Sequence, residues 1–172
     1  TRPTPEFQLI ETILWRPVSG YWLLEEHLQR LNDSAQYFLF SCDVDTIRQR
    51  LTEDADYFTS SRRVRLFVHR DGRFEMTATE IADPPFTVAD PLQPVVSTPL
   101  PAAAFSRIQT DPESRYLYHK TTMREVYDNA RELATELNLG EILFTNTKGE
   151  VTEGSVTNIF IQKDGMMFTP PL

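Results

Sequence analysis

The sequence predicts an α+β protein of two lobes, a small N-terminal α/β lobe over residues 1–105 and a β-rich C-terminal lobe beginning at 106–172. Three observations predict this. Strand-like segments at 7–15, 64–68 and 74–78 bracket two stretches of helical periodicity, so both element types build the first lobe. Prolines at Pro84, Pro85, Pro91, Pro94, Pro99, Pro101 and Pro112 then crowd the middle of the chain, where a residue without an N–H cannot extend a sheet ladder. Beyond Gly140, short strand-like segments alternate with turn residues.

Residues 7–15 are β-branched and aromatic and read as a strand, with a turn at 17–20 and a return strand at 21–24. Leu24, Leu28, Leu31, Ala35 and Phe38 recur at helical spacing. A second helix starts at Asp43, a good N-cap, and carries Val44, Ile47, Leu51 and Ala55 on one face. Val64, Leu66 and Val68 alternate as a strand, Asp71-Gly72 turns the chain, and 74–78 returns it. Residues 81–112 read as connecting material, with room for edge strands such as 94–97, and a lobe boundary near residue 105. Met123, Val126, Tyr127, Ala130, Leu133, Ala134 and Leu137 make the stripe of a long helix that Gly140 ends. Strands follow at 141–145, 150–152, 156–162 and 166–169, joined by turns at 146–149 and 163–165.

The chain has 172 residues and a formal charge of −8. Its 40% hydrophobic and 11% aromatic content is that of a folded protein. So acidic a surface argues against nucleic acid or an anionic membrane as partner. A small anionic ligand stays compatible, because a few arginines in a cleft outweigh distant surface charge. The lone Cys42 rules out an internal disulfide and multi-cysteine zinc sites. His27, His69 and His119 lack metal-ligand spacing and read as structural, His27 supporting its helix and His69 lying in a strand; no metal is expected. No apolar run approaches a membrane span and no signal-peptide pattern opens the sequence, so the expected setting is cytoplasmic. The start Thr1-Arg2-Pro3-Thr4-Pro5 and the end Thr169-Pro170-Pro171-Leu172 suggest a piece of a longer polypeptide, with the second lobe incomplete.

Only Lys120, Lys148 and Lys163 are lysines. Lys148 and Lys163 fall in turns, where a solvated charge is expected. Lys120 sits at the entry to the long helix, between Tyr116-Leu117-Tyr118-His119 and Thr121-Thr122. A lysine kept for its amine has this setting, although a surface lysine does too. Glu153 stands between a strand end and Gly154, where a carboxylate can point into a cavity or into solvent. Arg30 lies beside the apolar stripe of the first helix, placed to snorkel or to grip a buried phosphate.

These pieces together resemble the class IV pyridoxal-phosphate enzymes, a fold type that includes branched-chain aminotransferases, D-amino acid aminotransferases and aminodeoxychorismate lyases. The resemblance rests on His119-Lys120-Thr121-Thr122 with Arg124 and Tyr127, on Glu150-x-Thr152-Glu153-Gly154-Ser155-x-x-Asn158-Ile159-Phe160, and on Thr169-Pro170-Pro171. It extends through Glu11-Thr12, Glu26-His27-Leu28-Gln29-Arg30-Leu31 and Ser34-Ala35. It implies that Lys120 is the aldimine lysine and general base, that Glu153 keeps the ring nitrogen of pyridoxal 5'-phosphate protonated, and that Arg30 binds its phosphate. The chain departs from the family in its N-terminal approach, Thr4-Pro5-Glu6-Phe7-Gln8, and in lacking the segment after Pro171 that supplies further phosphate donors.

Within the family, the His-Lys-Thr-Thr-x-Arg-x-x-Tyr pattern and Phe-Gln-Leu-Ile-Glu-Thr are similar to the lyase-like domain fused behind aminodeoxychorismate synthase. The function implied is a 4-amino-4-deoxychorismate lyase of folate synthesis, giving 4-aminobenzoate and pyruvate. The alternatives are an amino acid aminotransferase and a catalytically inactive dimer module of the same fold. By the same likeness the protein is expected to be a homodimer, fused to or associated with the synthase.

Overall fold

A computed structural model of the chain describes residues 6–82 and 101–170. They form two compact units, one of residues 6–82 with His119–Met123 and one of residues 101–118 with 124–170. The segment carrying Lys120 packs with the first unit. The 94–97 edge strand lies outside the described residues.

The first unit is an antiparallel sheet ordered β2-β1-β3-β4, with two helices. Its strands are β1 (Leu9–Arg16), β2 (Gly20–Tyr21), β3 (Arg62–Val68) and β4 (Phe74–Glu80). Register pairs Leu9 with Val68, Glu11 with Leu66 and Ile13 with Val64. All six are buried. Alternation along β1 therefore sends Leu9, Glu11 and Ile13 to one face. Helix α1 (Leu24–Phe38) packs on β1 through Leu28, Leu31 and Ala35, each 1% exposed. Burying a leucine side chain so fully contributes about 2 kcal/mol. Helix α2 (Val44–Ala55) starts where Asp43 caps the Thr46 N–H at 3.0 Å, and it buries Ile47 and Leu51.

Two expectations at this end need correction. The return strand stops at Tyr21, because Leu23 turns left-handed (φ 51°) and Leu24 already begins α1. His69 lies just beyond β3, where Gln8 Nε2 (2.8 Å) and Glu75 (3.1 Å) meet its Nε2.

In the second unit, β5 (Ala103–Phe105) runs parallel to β6 (Glu141–Thr145), and β6 pairs antiparallel with β7 (Val151–Gly154). The sequence hid β5 because prolines surround it and it spans three residues. A short helix α3 (Arg115–Tyr118) precedes the long helix α4 (Glu125–Glu136), which lays Ala130 and Ala134 on Ile142 and Phe144 of β6. Gly140 does not end α4. Asn138 takes the left-handed turn at φ 52°, and Leu139 N–H closes on the Ala134 carbonyl at 2.8 Å, a Schellman closure. Gly140 is needed for packing instead, since a Cβ there would stand 2.6 Å from Pro101 Cβ. The expected strand 156–162 shortens to β8 (Ile161–Lys163), which pairs only with β9 (Met166–Phe168) through the Asp164-Gly165 turn. Among the described residues no helix is long and apolar enough to cross a membrane.

Candidate active site

In the first unit the inward face of β1 carries a carboxylate. Glu11 is 1% exposed, and a carboxylate so placed is costly unless paired. Arg30 Nε donates to its Oε1 at 2.8 Å and Arg30 Nη2 to its Oε2 at 2.6 Å, while His27 Nδ1 lies 2.8 Å from Oε2. His27 and Arg30 stand one turn apart on α1, so both reach the same strand residue. Burial pushes the Glu11 carboxyl upward, but the hydrogen bonds from His27 and Arg30 prevail and hold it below the usual carboxylate range. The hydrogen bond to Glu11 in turn raises the Arg30 guanidinium. His27 therefore supports a buried carboxylate. Arg30, read in the sequence as a phosphate ligand, commits two of its nitrogens to Glu11.

Lys120 lies in a short extended segment added to the free edge of β1. Ile10 N–H donates to the Lys120 carbonyl at 3.0 Å, Thr122 N–H donates to the Gln8 carbonyl at 2.9 Å, and Thr121 bridges Leu9. Alternation buries Thr121, at 3% exposure, and turns Lys120 and Thr122 away from it. His119 anchors the segment to α1. Its Nδ1 lies 3.0 Å from the buried Ser34 Oγ, its ring stacks on Tyr37 at 4.3 Å, and the Phe38 ring meets it edge-on at 4.9 Å. Desolvation lowers the His119 pKa, so the imidazole is neutral at pH 7, although Asp33 pulls the other way.

Glu153 belongs to the second unit, at the end of β7. Tyr127 Oη donates to Glu153 Oε1 at 2.7 Å. One turn earlier on the same helix side, Arg124 Nη2 donates to the Ser155 carbonyl at 3.1 Å. The loop after Glu153 wraps a second buried carboxylate. Glu141 Oε1 accepts from the N–H groups of Ile142 (2.8 Å) and Ser155 (2.9 Å) and from Ser155 Oγ (2.5 Å); its Oε2 accepts from Thr157 Oγ1 at 2.7 Å. Burial works against that charge, yet the hydroxyl and backbone donors hold Glu141 at about 2. Gly154 is required here, because a Cβ would collide with Thr157 Oγ1 and stand 2.7 Å from Glu141 Cδ.

The structure thus places Lys120 and Arg30 in one unit and Glu153 in the other. Sequence reasoning gave Glu11, Arg124 and Glu141 no role in the site, read His119 as structural and placed Tyr127 only in the apolar stripe of α4. The signal for Glu11 was legible: it occupies an inward position of an alternating strand. Glu141 gave none, since a glutamate after a turn glycine reads as solvated.

The chain is similar to known proteins in sequence and in fold. The profile of the family described as amino-transferase class IV matches residues 8–172. The aminodeoxychorismate lyase of Saccharomyces cerevisiae is 38% identical over 73 residues, 41% of this chain and 20% of that enzyme. The chain therefore spans a fifth of that relative's length. A Mesorhizobium loti protein assigned as an amino-acid aminotransferase matches with a TM-score of 0.80 at 30% identity, over 96% of this chain and 75% of its own. A hypothetical aminotransferase from Mycobacterium tuberculosis, solved with α-ketoglutarate and PMP bound, matches with a TM-score of 0.70 at 20% identity, over 95% of this chain and 61% of its own.

Proposed function

The chain belongs to the class IV aminotransferase family of pyridoxal-phosphate enzymes, and on that premise we propose that it is a 4-amino-4-deoxychorismate lyase. It releases pyruvate and leaves 4-aminobenzoate, a step of folate synthesis, and it works as a homodimer fused to or associated with the synthase that makes its substrate.

By chemistry, each donor suits a different part of the cofactor. Lys120 offers the amine that the aldehyde needs, Glu153 an anion for the ring nitrogen, and Arg30 a cation for the phosphate through Nη1, the nitrogen not engaged by Glu11. When bound, pyridoxal phosphate supplies an electron sink for charge that develops at the substrate carbon bearing the amine.

The residues divide the remaining work. The backbone of Lys120 is tied to β1 and its neighbour His119 to α1, so little freedom remains to be lost in aiming the amine. Lys120 Nζ removes the proton from the amine-bearing ring carbon of the substrate. Departure of enolpyruvate with that proton makes the ring aromatic, which supplies much of the driving force. Glu153 keeps a negative charge beside the ring nitrogen, and Arg30 holds the far end through Nη1 by a charge-assisted hydrogen bond.

The observation that carries the reading is the setting of Lys120. It is half-buried on the edge of β1, whereas Lys148 is exposed in a turn and Lys163 is exposed at the end of β8. The choice of lyase is supported by the 38% identity to the yeast enzyme. An amino acid aminotransferase is the second reading, favoured by the Mesorhizobium loti match. The deciding experiment supplies aminodeoxychorismate to the purified protein. Pyruvate and 4-aminobenzoate formed without a keto acid acceptor support the lyase. Amine exchange that depends on an acceptor supports the aminotransferase instead. Loss of all cofactor on dialysis would leave an inactive dimer module.

A further inference from the structure

We propose that Tyr127 is the positioning residue of Glu153, and that the first turn of α4 is built to aim that carboxylate while leaving its charge intact. The inference rests on the assignment of Glu153 to the cofactor's ring nitrogen.

A glutamate's terminal torsion is broad and roughly two-fold, so a lone carboxylate turns easily. The 2.7 Å hydrogen bond from Tyr127 Oη removes that freedom by engaging Oε1, which leaves Oε2 for the ring nitrogen. The phenol itself is held: its ring lies 4.9 Å from that of Phe144, and the Arg124 guanidinium sits 5.6 Å from its centroid. Arg124 also grips the Ser155 carbonyl, and Glu141 grips Ser155 and Thr157 from below the loop. The backbone on the far side of Glu153 is therefore fixed as well. Arg124 and Tyr127, three positions apart on one helix face, explain why an arginine and a tyrosine follow Lys120 at this spacing.

The donor's chemistry matters. A lysine or arginine paired with Glu153 would neutralise the charge that the ring nitrogen requires. A phenol donates one proton, carries no charge, and stays protonated through the physiological range. Burial and the neighbouring Glu153 both push its ionisation above the ordinary tyrosine value, so it remains a donor in alkaline solution.

The test uses Tyr127→Phe and Glu153→Gln in two measurements. In cofactor-free protein carrying ζ-carbon-labelled tyrosine, NMR titration should show, besides Tyr21, which burial also raises, a second phenol ionising above the ordinary range, absent in Tyr127→Phe and lowered by about one pH unit in Glu153→Gln. This reading needs no folded Tyr127→Phe, because the Glu153→Gln arm stands alone. With pyridoxal phosphate added, the pH midpoint of its visible band should move by about one unit in Tyr127→Phe. A band altered by Glu153→Gln but untouched by Tyr127→Phe, or a phenol indifferent to Glu153→Gln, overturns the positioning role alone. A band untouched by either variant overturns the assignment of Glu153 and this inference with it.

Discussion

Arg30 meets the buried carboxylate of Glu11 with two parallel hydrogen bonds, 2.8 Å from Nε and 2.6 Å from Nη2. Only the arginine of this pair reaches solvent, with 48% of its side chain exposed against 1% for Glu11. Removing the arginine strands a buried charge with His27 as its remaining partner. Breaking such a pair costs about 3–5 kcal/mol, and half-exposure of the guanidinium places Arg30→Ala near the lower figure, about 3 kcal/mol. The midpoint of urea unfolding measures it. Arg30→Lys keeps charge but not the fork, and should recover only part of the loss. A variant as stable as the wild type would show that Glu11 is not held by this pair.

Glu11 and Glu141 also set the response to acid. Both carboxyls titrate below the ordinary 4.5 in the folded protein, Glu141 at about 2. Their stabilisation is therefore complete above pH 4.5 and is lost as pH falls through the folded values, since the unfolded chain takes up protons first. Each group contributes a slope of up to about 1.4 kcal/mol per pH unit between 4.5 and its folded value. Thermal unfolding followed across pH 2–5 should show Tm falling steadily, and Glu141→Gln should flatten the curve. An unchanged slope in that variant removes Glu141 from the account.

Gly154 tests the wrapped loop directly. An alanine there places its Cβ 2.7 Å from Glu141 Cδ and against Thr157 Oγ1, two groups hydrogen-bonded to each other. Overpacking of this kind costs about 1–3 kcal/mol. The loop must shift, and Glu153 is its neighbour. Gly154→Ala should therefore lower the urea midpoint and weaken binding of pyridoxal phosphate together. Wild-type behaviour in both would mean that the loop relaxes without cost.

What the sequence disclosed follows from periodicity. Leu24, Leu28, Leu31 and Ala35 announced α1, and Val64, Leu66 and Val68 announced β3, because each face is buried against one partner. The motif residues Lys120, Glu153 and Arg30 were legible through resemblance. The supporting groups were not. Ser34 and His119 meet across 85 positions, and Tyr127 and Glu153 across 26, separations at which spacing carries no signal. Helix ends misled for a different reason. Gly140 looked like a terminator, but Asn138 can itself adopt the left-handed turn, which freed the glycine for contact with Pro101.

The end of α1 offers a stabilising change. Leu39 closes the helix in the left-handed region at φ 58° and is 82% exposed. An L-residue with a Cβ spends about 1–2 kcal/mol to stand there, which glycine avoids. Glycine's greater freedom in the unfolded chain returns part of that. Leu39→Gly should thus raise stability by about 0.5–1 kcal/mol, measured as an increase in the urea midpoint with unchanged m-value. Asn138→Gly should gain less, because asparagine tolerates the same turn. A loss of stability in Leu39→Gly would indicate that the leucine side chain makes a contact worth more than its strain.

Lys120 provides the most direct examination of the chemistry. Its backbone bond with Ile10 and the neighbouring Thr122–Gln8 bond involve no side chain of residue 120. Lys120→Ala should therefore keep the extended segment and fold as the wild type does, with the same circular dichroism spectrum. The visible band formed with pyridoxal phosphate should nevertheless vanish, and borohydride should no longer fix cofactor to the chain. Lys148→Ala and Lys163→Ala serve as controls, because both lysines are exposed, Lys148 in a turn and Lys163 at the end of β8, and both variants should retain the band. A band that survives in Lys120→Ala and is lost in either control would transfer the amine's role to that lysine. The strand-paired setting of Lys120 would then be structural only.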